Sequence, residues 1–223
     1  MGALVNPSLF TVVGGAAPTF IGSSMTTAAS TSPVSFPVGS AAGDIGMFLS
    51  CGTGINESLS FPASTWTTGV TGTFGSVPSN RLNMIHGRKI LTSTDVANPL
   101  NGFTHDQSVL LVVYRGGSSI ANKVNKIANT IDTNFDGDPD AEQAVTSWST
   151  SVTKSPGSLI LINLLLSRDN LVTISVSPWN VNTGSSFYKT SDITPTSYTD
   201  GSSITSSWTT SSYKLAQSIF EIT

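Results

Sequence analysis

Charge is scarce in this chain. Only 10% of its 223 residues are Asp, Glu, Lys or Arg, against about a quarter in an ordinary soluble domain. The 10 basic residues are scattered and the formal net charge is −3, so no basic footprint for nucleic acid is expected. Cysteine is nearly absent. Cys51 stands alone, which excludes a disulfide framework or a cysteine metal site, and its apolar neighbours suggest a buried, inert thiol. Long apolar runs are missing as well. The longest, Leu159–Leu166, is interrupted by Asn163 and falls far short of the roughly 20 residues a spanning helix needs, so no membrane is expected as a partner. Met1–Pro7 lacks the basic stretch of a secretory signal, pointing to synthesis in a host cytoplasm. There is no His-Glu-x-x-His, P-loop, GxGxxG or Gly-x-Ser-x-Gly pattern, and the chain reads as non-enzymatic.

Hydroxyls fill the place of the missing charges. The chain holds 36 Ser and 29 Thr, 65 residues in all. Long charged side chains suit exposed helix faces, whereas Ser and Thr suit the exposed face of a strand. Few charges also mean little long-range repulsion between copies. The composition thus predicts an all-β protein that lives in an assembly.

Strand-like segments separated by Gly, Pro, Asn and Ser clusters are expected at Leu9–Val13, Thr19–Met25, Val34–Val38, Asp44–Cys51, Ser64–Thr68 and Arg81–Leu91. Further ones fall at Ser108–Tyr114, Ser119–Lys126, Ser158–Ser167, Leu171–Ser177, Ser185–Lys189 and Tyr213–Ile222. Val109–Tyr114 and Leu159–Leu166 are apolar on both faces and read as central strands. In the last segment Ala216, Ser218, Phe220 and Ile222 share one face, and Leu215, Gln217, Ile219 and Glu221 the other. The mixed second face predicts a partly exposed strand. The one helix candidate is Pro139–Val145. The architecture expected is a single β-sandwich or jelly-roll-like domain over residues 35–223, preceded by an arm with the first strands over 1–34. Leu4, Leu9, Phe10, Val12 and Val13 make the arm apolar enough to dock on a partner.

Three sets of side chains invite a chemical reading. Asp132, Asn134, Asp136, Asp138 and Asp140 fall at alternate positions around Gly137, the spacing of oxygen ligands in a calcium loop. Gln143 stands where the bidentate Glu would be, so calcium is a candidate whose alternative is an acidic solvated turn. Trp66, Trp148, Trp179 and Trp208 lie among hydroxyl residues. Exposed, they would stack on sugar rings of a host glycan; otherwise each ring lies in the core at an edge, with its N–H near solvent. His86 and His105 read as ordinary surface or edge residues, since no nucleophile pattern accompanies them.

Several segments together resemble a β-sandwich domain that recurs in bacteriophage virion proteins, often in tail and fibre components. They are Pro37-Val-Gly-Ser-Ala-Ala-Gly-Asp44 leading into Ile45–Ser50, Pro62-Ala-Ser-Thr-Trp66 and Arg81–Leu91. Tyr114-Arg115-Gly116, Pro156-Gly-Ser-Leu-Ile-Leu-Ile162 and Tyr213–Ile222 complete the set. The resemblance implies a place in a virion, as head decoration, cement, tail or fibre component. It also implies contacts with other virion proteins and with copies of itself, a homotrimer being expected. It brings no catalytic residues.

Overall fold

Thirteen strands, all in antiparallel pairs, carry the described structure. The computed structural model describes residues 17–26, 33–53, 66–74, 82–101, 107–129, 148–167, 172–175, 179–184, 188–193, 201, 203–210 and 214–223. In chain order the strands are β1 (Thr19–Thr26), β2 (Ile45–Thr53), β3 (Thr67–Phe74), β4 (Leu82–Ile90), β5 (Gln107–Arg115), β6 (Ile120–Asn129) and β7 (Trp148–Thr153). Then follow β8 (Ile160–Ser167), β9 (Val172–Ser175), β10 (Asn180–Gly184), β11 (Tyr188–Ile193), β12 (Ser203–Thr210) and β13 (Lys214–Ile222). One short helix, α1 (Ser93–Ala97), follows β4 and is closed by a capping box between Thr92 and Asp95. The all-β expectation holds.

Sheet I has the order β1-β5-β2-β4-β3, sheet II β10-β11-β8-β13-β6 and sheet III β7-β12-β9. The inner faces of sheets I and II share one apolar cluster. Ile45, Met47, Leu49, Met84, Leu110, Val112 and Tyr114 come from sheet I, and Ile160, Ile162, Leu164, Ala216, Phe220 and Ile222 from sheet II. The outer face of sheet I is also covered, by Val34, Trp66, Leu91, Leu100 and the partly buried Phe36 and Val96. This is why Val109–Tyr114 can be apolar at every position: β5 lies between β1 and β2 with both faces buried by the chain itself. Gly87 makes room for that outer layer. A Cβ there would lie 2.2 Å from Phe48 Cε1, and the Phe48 ring in turn meets Trp66 edge-on at 5.3 Å.

Sheet III closes the outer side of sheet II. Val152 and Ile204 pack with Leu161, Ile219 and Trp179. A buried polar chain crosses the same seam: Thr150 Oγ1 donates to Gln217 Oε1 at 2.8 Å, and Gln217 Nε2 donates to Asn163 Oδ1 at 3.0 Å. Asn163, the residue that interrupts the longest apolar run, therefore has a definite task between sheets.

Several expectations need correcting. The final strand is central rather than partly exposed: β13 lies between β8 and β6, and residues 216–222 are buried. Its polar face is covered by sheet III. Val34–Val38 is no strand; Val34 makes only an isolated bridge to Leu100. The strand expected over Ser64–Thr68 begins at Thr67 and runs to Phe74; of that expected over Ser185–Lys189, residues 188 and 189 lie in Tyr188–Ile193 and the rest lie outside the described residues. β7, β10, β12 and α1 were not expected. Leu9–Val13 and Pro139–Val145 lie outside the described residues.

Candidate functional site

Among the described residues, sheet III presents a surface whose chemistry repeats. In β7 the exposed Ser151 and Thr153 alternate with the buried Thr150 and Val152; in β12 the exposed Ser203 and Thr205 alternate with the buried Ile204. The register sets Ser151 opposite Thr205 and Thr153 opposite Ser203. Ser151 Oγ and Thr205 Oγ1 are 2.8 Å apart, and Thr153 Oγ1 and Ser203 Oγ 3.3 Å. Strands stand about 4.8 Å apart, with same-face residues about 7 Å apart along each strand. The result is an uncharged ladder of groups that both donate and accept hydrogen bonds. Its signal is the alternate-position hydroxyl pattern Ser151-x-Thr153 and Ser203-x-Thr205.

Three ion pairs among the described residues lie inside the chain: Lys89–Asp95, Arg115–Asp44 and Lys123–Glu221. Asp44 and Arg115 form a forked pair: Nε donates to Oδ1 and Nη2 to Oδ2, each at 2.8 Å. The Ala41 N–H also donates to Asp44 Oδ2 at 2.8 Å, and Arg115 Nη2 reaches the Gly39 carbonyl at 2.8 Å. The bond from Arg115 holds the Asp44 carboxyl below the usual carboxylate range, against the opposing effect of burial. Gly43, at φ +90, turns the chain into β2 beside this pair. Ala-Gly-Asp and Tyr-Arg-Gly, two segments that carried the resemblance, are thus two halves of one clasp.

Arg115→Leu is expected to lower stability more than Arg115→Lys, because it leaves a buried carboxylate with the Ala41 N–H as its remaining partner in the clasp. The folded-state value of Asp44 is depressed, so its contribution is present above 3.8 and fades as pH falls below it. Urea unfolding at several pH values should show the acid-side slope reduced in Arg115→Leu; an unchanged slope would show the pair to be idle.

A second cluster ties sheet III to the central sheet. Glu221 Oε1 accepts the Ser155 N–H at 2.6 Å, Lys123 Nζ lies 3.3 Å from Glu221 Oε2, and Lys123 Nζ donates to Ser155 Oγ at 2.9 Å. Burial pushes the Glu221 carboxyl up, but the bonds from Ser155, Ser158 and Lys123 outweigh it and hold the carboxyl low. A serine beside a lysine is the geometry of a nucleophile and its base. Here Lys123 Nζ donates to Ser155 Oγ and pairs with Glu221, so the cluster serves as a clamp between the loop after β7 and strands β6 and β13.

The residues singled out from sequence separate clearly. Trp66, 8% exposed, caps the outer face of sheet I. Trp179, 1% exposed, is buried between sheets II and III, and among the described residues its Nε1 has no hydrogen-bond partner. Neither offers a ring for sugar stacking, and the Trp179 N–H is not near solvent. Trp148 and Trp208 lie opposite each other in β7 and β12. His86 is corrected from surface residue to buried, at 2% exposure. Asp132, Asn134, Asp136, Asp138 and Asp140 lie outside the described residues, as do His105 and the arm residues Leu4, Leu9, Phe10, Val12 and Val13. Among the described residues no group of three acidic, His or Cys side chains is placed to hold a metal, and no helix is long and apolar enough to cross a membrane. No protein-family model matches the chain, no curated protein is similar to it, and no solved structure matches it.

Proposed function

We propose that this protein is a non-enzymatic structural component of a phage particle, acting through contacts with copies of itself and with neighbouring virion proteins. The observation that carries the reading is the outer face of sheet III, an uncharged double row of exposed hydroxyls on a sheet anchored from behind. Such a face approaches a neighbour without like-charge repulsion, and its hydroxyls bond to whatever donor or acceptor they meet. The internal use of Asp44, Arg115, Lys123 and Glu221 fits the same reading, because these charges pair with one another inside the chain: Asp44 with Arg115 and Lys123 with Glu221. The segments resembling phage β-sandwich domains supply the virion setting.

Two lysines placed in the ladder provide the test. Thr153→Lys/Thr205→Lys should fold with stability within about 1 kcal/mol of the parent, since both sites are exposed. Sedimentation velocity should find the parent oligomeric, a trimer being expected, and the variant shifted to monomer. A parent that stays monomeric at high concentration, or a variant that assembles as well as the parent, overturns the contact role of this face. Regular antibody labelling of intact particles supports the virion setting, and particles without label refute it.

A further inference from the structure

We infer that His86 makes the seam between sheets I and II acid-labile, so that the two sheets loosen from one another as the medium turns from neutral to mildly acidic. This goes beyond the assembly reading and does not depend on it. His86 lies on β4 between Met84, which faces sheet II, and Arg88, whose Nε donates to the Ile120 carbonyl of β6 at 2.9 Å. The imidazole is 2% exposed and meets the Phe220 ring of β13 edge-on at 5.5 Å and 70°. Among the described residues neither Nδ1 nor Nε2 has a hydrogen-bond partner. Buried polar side chains almost always find one. A neutral ring tolerates this position; an imidazolium would bring two N–H donors and a full charge to a place with no acceptor.

The surroundings give a proton no relief. In the strand register His86 stands opposite Leu49 of β2 and Gly69 of β3. Of the charged or titratable residues on the elements packed here, β2 carries Cys51, β3 none, β6 Lys123 and Lys126, and β13 Lys214 and Glu221. Glu221, the lone acid among them, is turned to the other side of sheet II, where it holds Ser155 and Lys123. Arg88, two residues along β4, adds a like charge. Burial first, and then the charge of Arg88, push the imidazole from its ordinary 6.5 down to about 4.

The sign follows directly. The unfolded chain takes up the proton near 6.5 and the folded chain not until about 4. Stability is therefore whole above 6.5 and is lost progressively as pH falls through that window. The tied carboxyls Asp44, Asp95 and Glu221 add their own losses only lower, because their ordinary values are 3.8, 3.8 and 4.5. Mild acid thus isolates the histidine.

Denaturant unfolding of the whole chain at pH 7 and pH 5 is the test. The parent's unfolding constant should rise by about 20-fold between them. His86→Phe and His86→Gln should lose most of that rise, the Gln variant keeping a polar but untitratable group at the site. His105, the other histidine, is present in all three proteins and cancels. Should either variant fail to fold, proton NMR of the parent decides. A His86 ring resonance unchanged from pH 7 to pH 5, with faster amide exchange in β4 and β13 than in β12, supports the proposal. A His86 resonance that titrates at its ordinary value, or variants with the parent's full pH dependence, overturns it.

Discussion

Replacing Phe220 by alanine is expected to cost about 3–5 kcal/mol of stability and, for a chain of this size, to lower Tm by roughly 10 °C. Phe220 is fully buried on β13 and packs in the cluster that joins sheets I and II. β13 is hydrogen-bonded on both sides, to β8 and to β6, and its register against β6 shifts between Ile219 and Phe220. A ring held at an irregular point of a doubly paired strand has little freedom to let neighbours collapse into its place. The cavity should therefore persist. Phe220→Leu, which keeps most of the volume, should cost about 1–1.5 kcal/mol. The same substitutions reach His86, because the ring that covers the imidazole is gone. Its NMR titration in Phe220→Ala should move from about 4 back toward 6.5. Urea unfolding of the two variants checks the order of losses, and a cost under 1 kcal/mol for the alanine would show that the two sheets do not depend on this contact.

The part of this fold that was legible from residues alone is the part with a strong apolar signature. β5 and β8 are apolar at successive positions, and both proved to be interior strands with two covered faces. What escaped notice was sheet III. β7 and β12 read Trp-Ser-Thr-Ser-Val-Thr and Ser-Ile-Thr-Ser-Ser-Trp-Thr-Thr, where one hydrophobe per turn of the alternation is too weak a signal to separate strand from loop. Missing that sheet had a second consequence. In sequence Gln217 and Glu221 read as solvent-facing residues of a final strand, because polarity alone does not distinguish an exposed side chain from a buried one with a polar partner. Their partners, Thr150 and Ser155, lie more than 60 residues away in sequence. His86 was misplaced for a related reason: a polar residue flanked by Arg88 and Lys89 looks exposed, yet β4 turns alternate residues to opposite sides. The clasp shows the intermediate case. Asp44 and Arg115 each stand in a segment that carries the resemblance, and their pairing across 71 residues comes only with the fold.

Gln217→Ala should release sheet III from the rest of the molecule, at a cost of about 2–4 kcal/mol. The side chain is fully buried and is the middle link of the chain Thr150–Gln217–Asn163. Cutting it takes a partner from a hydroxyl on β7 and from an amide on β8, and opens a void between two sheets. Leucine would fill the void yet leave both polar groups short of that partner, so Gln217→Leu should remain destabilised. Adding Thr150→Val to Gln217→Leu removes one of the two stranded groups and should recover part of the loss, a coupling that a double-mutant cycle reads directly. Hydrogen exchange should localise the effect. In Gln217→Ala, amides of β7 and β12 should exchange faster, while β2 and β5, enclosed on both faces within sheet I, keep their protection. Because the hydroxyl ladder is only as ordered as the sheet that bears it, the alanine variant should also associate less well than the parent, although no exposed residue has changed. Full association with a loosened β7 and β12 would mean that the contacts between copies lie on another part of the surface.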